Sequence, residues 1–94
     1  MVITFHNHGD LAGKLIRRIK YLLYKLKEKF DLICYSDVYV QQGKKDNEPL
    51  ELKVIVGIPG QDIVYTSRAE DPALAIKKMY NRLKRTLSRR LGRD

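Results

Sequence analysis

From Asp71 to Leu91 the chain reads DPALAIKKMYNRLKRTLSRRL, and Ile76, Met79, Tyr80, Leu83 and Leu87 recur at helical spacing along one apolar stripe. A helix with a single apolar stripe has to lie on another layer of structure, so this segment demands a partner layer. Asp71 suits the cap and Pro72 the first turn. At about 100° per residue, Lys78, Arg82, Arg85 and Arg89 fall within about 60° of one another on the opposite face. Cations stacked that way repel by a few tenths of a kcal/mol per neighbouring pair. A face meant only for solubility would interleave acids, and none occurs between Pro72 and Gly92. The stripe reads as a surface for a polyanion, with a plain solvated face as the alternative.

The first half repeats the pattern. Val2 to His6 is a short β-branched and aromatic run, a first strand. Asn7-His8-Gly9-Asp10 breaks it, and Asp10 is a good N-cap for a helix from Leu11 to Phe30. That helix buries Ala12, Leu15, Ile16, Ile19, Leu22, Leu23, Leu26 and Phe30, and tolerates Gly13 at a cost of up to about 1 kcal/mol. On its wheel Lys14, Arg18, Tyr21 and Lys25 fall together, with Lys29 beside them.

Asp31 closes this helix, and Leu32 to Gln42 reads as a strand with Tyr35, Asp37 and Tyr39 opposite Cys34, Val38 and Val40. Gly43 to Pro49, GKKDNEP, is a polar turn region. Leu50 to Ile58 is the clearest strand, its Leu50, Leu52, Val54, Val56 and Ile58 facing one way and Glu51 and Lys53 the other. Ile58-Pro59-Gly60-Gln61 suits a tight turn, and Ile63 to Ser67 is the return strand.

The order is thus β-α-β-β-β-α. The first helix is a crossover between two parallel strands, expected to be right-handed, and the remaining strands form a meander. With one apolar stripe on each helix, the fold class is α+β. It has two layers, a four-stranded mixed sheet with both helices on one face, in one domain spanning residues 1–94. The net charge is +8, and its placement says more than its size. Residues 9–30 carry seven Lys and Arg against two acids, and residues 71–94 carry eight against two. The rest of the chain is slightly acidic. Such segregation builds a directional field toward one charged partner, and the two helix stripes are expected to merge into one patch.

Other chemistry is poorly supported. No apolar run reaches the roughly 18 residues of a membrane span, and the N-terminus lacks the basic and long apolar regions of a secretory signal. A lone Cys34 excludes an internal disulfide, fits a reducing cytosol, and reads as a small core residue. His6 and His8 invite a metal, but a third ligand would have to be a carboxylate, so no metal is expected. No nucleophile elbow, P-loop or dinucleotide fingerprint is present, and no paired carboxylates stand out. The chain reads as a protein without catalytic residues, cofactor or small-molecule substrate. Tyr80 reads as core. Tyr21, between Arg18 and Lys25, suits stacking on an unpaired base or bonding a phosphate, and equally suits packing against lysine stems. Cations spread over helix faces contact phosphates rather than base edges, which favours structured RNA recognised by shape.

The stretch IVGIPGQDIVYTSRAEDPALAIKKMYNRLKRTLSRRLGR resembles the ribosome hibernation promoting factor and ribosome-associated inhibitor family. The likeness lies in a hairpin whose return strand enters a polar segment, here Arg68 to Pro72. A helix follows with Ala75, Ile76, Leu83, Arg85 and Leu87 at the family's spacing. The long basic first helix, closing with Leu26-Lys27-Glu28-Lys29-Phe30-Asp31, is similar in pattern.

The resemblance implies a double-stranded-RNA-binding-like fold and a cytoplasmic protein that binds the small ribosomal subunit between head and body. There it would contact ribosomal RNA and block the path of messenger and transfer RNA. Carried over by position, the contacting residues are Lys14, Arg18, Lys25, Lys78, Arg82, Arg85 and Arg89, with Tyr21 added from the wheel. The sequence stops soon after the last helix, without the long form's dimerisation domain or the short inhibitor's extended tail. Whether it promotes or opposes pairing of idle ribosomes is open. A generic structured-RNA-binding module and an adaptor docking an acidic protein are the other readings.

Overall fold

A computed structural model describes residues 1–6, 13–42 and 50–91. The elements follow the expected order: β1 (Val2–His6), α1 (Gly13–Lys29), β2 (Tyr35–Gln42), β3 (Leu50–Ile58), β4 (Gln61–Ala69) and α2 (Pro72–Arg90). The sheet has four strands in the order β1-β2-β3-β4, with β1 parallel to β2 and the other pairs antiparallel. It is the α+β, two-layer arrangement that the alternating and helical periods require.

The alternation of β3 sets the layering. Leu50, Leu52, Val54, Val56 and Ile58 are buried, as are Val38 and Val40 of β2 and Ile63 of β4. In register these residues share one face, which Ile19, Leu22, Leu23 and Leu26 of α1 and Ala75, Ile76, Met79, Leu83 and Leu87 of α2 cover. The α2 helix packs on β3 and β4 and against α1, while Lys20 of α1 sits 5.7 Å from the ring centroid of Phe5 in β1. Among the described residues, no helix covers the opposite face of the sheet.

The helix ends follow local chemistry. The Asp71 carboxylate accepts from the Ala73 amide at 3.0 Å, and Pro72 fills the first turn, where its missing N–H costs nothing. Basic residues in the last turns, Lys27 and Lys29 in α1 and Arg89 and Arg90 in α2, oppose the negative ends of the helix dipoles. At the β3–β4 turn Pro59 fixes its own φ and Gly60 adopts φ 88°, the pairing expected of a type II turn.

Three expectations are revised. The second strand begins at Tyr35, not Leu32. Phe30 closes the last turn of α1 through its amide to the Leu26 carbonyl, and Ile33 donates to Phe30 at 3.2 Å, so the chain is still turning where a strand was expected. Cys34 is exposed rather than core, because it precedes the ladder and its thiol reaches only the Leu32 carbonyl at 3.5 Å. The return strand is longer than 63–67, since β3 pairs along its whole length, from Leu50↔Ala69 to Ile58↔Gln61. The expectations for His8, Asp10, Leu11, Ala12 and residues 43–49 lie outside the described residues.

Candidate nucleic-acid interface

The two surfaces of the molecule treat their charges differently. On the bare face of the sheet, acidic and basic side chains stand beside one another or beside tyrosines. Arg68 Nε lies 3.7 Å from Glu51, and His6 Nε2 lies 3.3 Å from Asp37 Oδ1. The His6 ring stacks on Tyr39 at 4.3 Å, and Lys53 stands 5.7 Å from the same tyrosine ring. The Tyr35 hydroxyl donates to Asp62 at 2.7 Å. That hydrogen bond, with a smaller contribution from lost hydration, raises the Tyr35 pKa above the ordinary tyrosine value. The Tyr35 ring lies directly over Gly57, its partner in register, where a Cβ would meet ring carbon at 2.0 Å.

On the helix layer the charges are not matched. Lys27 pairs with Asp31 at 3.6 Å, one turn on. Among the described residues, none of Lys14, Arg17, Arg18, Lys25, Lys77, Lys78, Arg82, Arg85 or Arg89 is in an ion pair. All of these are exposed. Lys14 stands three and four residues from Arg17 and Arg18, and Arg17 three from Lys20, with no acid among the described residues of that stretch.

The structure gathers one half of the sequence-derived site and sets the other half apart. Lys14, Arg18, Tyr21 and Lys25 all line a groove of about 950 Å³ between α1 and α2. The α2 side of that groove carries Ala73, Ile76, Lys77, Tyr80 and Asn81. Lys78, Arg82, Arg85 and Arg89 do not line it. At about 100° per residue, α2 divides into three sectors roughly a third of a turn apart. One sector enters the core, one faces the groove, and the third, holding those four cations, turns away from α1. The expected single merged patch is therefore two basic surfaces on one layer.

Arg17, Lys77, Tyr80 and Asn81 are the polar and aromatic groove residues that sequence reasoning missed. The available signal was topological. With α1 over β1 and α2 over β3 and β4, only one flank of α2 faces α1, and the line Ala73-Lys77-Asn81 occupies it. Tyr80 is half-buried instead of fully core because it forms the groove wall. Lys25 Nζ stands 6.0 Å from the Tyr21 ring centroid and 5.9 Å from that of Tyr80, a cation held between two π faces.

Among the described residues no three His, Cys, Asp or Glu side chains gather into a metal-binding group, and no helix is long and apolar enough to cross a membrane.

No family model matches the sequence, and no curated protein matches it. Solved structures do match in fold. A ribosomal subunit interface protein from Coxiella burnetii superposes with a TM-score of 0.84 at 18% identity, covering 99% of this chain and 100% of that one. The N-terminal domain of Protein Y from Thermus thermophilus gives a TM-score of 0.73 at 17% identity, covering 94% and 93%. The resemblance drawn from the hairpin and last helix thus holds at the level of the fold.

Proposed function

We propose that this chain is a ribosome-associated translation inhibitor of the hibernation-factor kind. It binds ribosomal RNA of the small subunit through the helix layer and occludes the path of messenger and transfer RNA. It acts in the cytoplasm by occupancy, without catalysis or cofactor. The observation that carries this reading is the set of exposed cations on both helices that make no ion pair among the described residues, opposite a sheet face where acidic and basic side chains are neighbours.

The physical logic is electrostatic. Like charges held on one layer without counter-charges raise the energy of the free protein, and a polyanion relieves it while releasing its own condensed ions. From Lys14 to Lys25 and from Lys78 to Arg89 each helix rises about 16 Å, enough for its stripe to follow several phosphates. Such contacts fix position without reading sequence, which suits a protein that must fit one shaped RNA cleft. The fold shared with a ribosomal subunit interface protein supports the choice of that cleft over other structured RNA.

The test is order of addition in a reconstituted translation reaction. Protein added to free small subunits before messenger and initiator transfer RNA should block their binding. Protein added after elongation has begun should have little effect. Equal binding of messenger and transfer RNA with and without a saturating amount of protein would exclude occlusion.

A further inference from the structure

We infer that the groove between α1 and α2 receives the base of an unpaired RNA nucleotide, stacked on Tyr21, while Lys14, Arg18 and Lys77 hold the neighbouring phosphates. This rests on the RNA-binding reading above and adds to it a site for a base, where that reading needs only phosphate contacts.

A surface that grips phosphates alone needs cations and nothing else. Here the cations stand round a floor of aliphatic carbon from Leu15, Leu22 and Ile76. Apolar carbon is satisfied by a planar base rather than by a phosphate. Tyr21 is 58% exposed, although it projects beside that floor, so its ring is an uncovered stacking surface. Lys25 marks where a ligand would sit, since its ammonium occupies the point flanked by the Tyr21 and Tyr80 rings. Its flexible four-carbon stem lets the ammonium swing aside to a phosphate when a base arrives.

Charge and polarity agree on the occupant. Among the described residues no acidic side chain lines the groove, and its cations favour an anionic ligand. Asn81 on the rim offers an amide donor and an amide acceptor, the pair needed for a base edge. The groove is open, with a volume of about 950 Å³, and a base can enter it from solvent. In duplex RNA the bases are stacked and paired, so the occupant must be a bulged, looped or terminal nucleotide.

The test uses two RNA hairpins with the same stem, one fully paired and one with a single extruded 2-aminopurine. Wild-type protein should bind the bulged hairpin on the order of tenfold more tightly, the value of one base stacked on an aromatic ring. The 2-aminopurine fluorescence should change on binding. Tyr21→Phe should keep the preference, and Tyr21→Ala should bring the bulged hairpin down to the affinity of the paired one. Equal wild-type affinities for the two hairpins, or a preference that survives Tyr21→Ala, would overturn the base site and leave the phosphate reading standing. Failure to bind either hairpin at low salt would overturn both.

Discussion

Reversing two charges on the outer flank of α2 should move stability and binding in opposite directions. Lys78 and Arg85 are exposed and make no ion pair among the described residues, so no salt bridge is lost when they change. In the wild type, Lys78–Arg82, Arg82–Arg85 and Arg85–Arg89 are three repulsive pairs at helical spacings of three or four. In the double variant Lys78→Glu, Arg85→Glu all three become attractive. At about 0.2–0.5 kcal/mol per pair on each side of zero, the helix gains roughly 1–3 kcal/mol at low salt. For a domain of this size that raises the melting temperature by at least about 4 °C.

Binding to RNA should fall instead. Each lost phosphate contact costs up to about 1 kcal/mol and each new repulsion a similar amount, so affinity drops by well over tenfold. The slope of log K against log salt should shrink by about 2. The assay is a thermal melt beside a salt series of binding to purified small subunits. A variant that melts lower and binds weaker would mean the stripe holds the fold. A variant that binds as well as wild type would remove this flank from the interface.

Three further outcomes are expected. Asp71→Ala removes the acceptor for the Ala73 amide and should cost about 1 kcal/mol, with Asp71→Asn largely retaining stability; equal melting of the two variants would deny the cap its role. Leu83→Ala empties a fully buried position between α2 and the sheet and should cost about 2–5 kcal/mol in denaturant unfolding. Tyr35 should titrate above the ordinary tyrosine value, because its proton is held by Asp62. A phenol raised in the folded state adds stability that is complete below the unfolded value and lost as pH rises through the folded one. Asp62→Asn should lower the Tyr35 midpoint in a titration followed by NMR of labelled tyrosine rings.

The fold was legible where one period dominated. The alternation of Leu50 to Ile58, the Pro59-Gly60 turn and the cap at Asp71 each specify one local answer, and the structure holds all three. It was less legible where a tertiary contact decides the ending. Nothing in Leu32-Ile33-Cys34 says that Phe30 keeps the chain turning through a bond from Ile33, so an apolar run passed for strand.

The site was half legible for a similar reason. A helical wheel orders residues round one axis, and it placed Lys14, Arg18, Tyr21 and Lys25 together without knowing what they face. It carries no information on how two helices are rotated against each other. That rotation is fixed by Ala75 and Leu87 entering the core together with Ile76, Met79 and Leu83. It brings Lys77 to the groove and carries Lys78, Arg82, Arg85 and Arg89 round to the far flank.

The central claim is tested most directly by co-sedimentation of the purified protein with separated ribosomal subunits across a salt series, with bulk duplex RNA as competitor. The account expects stoichiometric pelleting with the small subunit, weakening steeply as salt rises and resisting the competitor. Pelleting that duplex RNA competes away would reduce the protein to a generic RNA binder, and no pelleting at low salt would contradict the account outright.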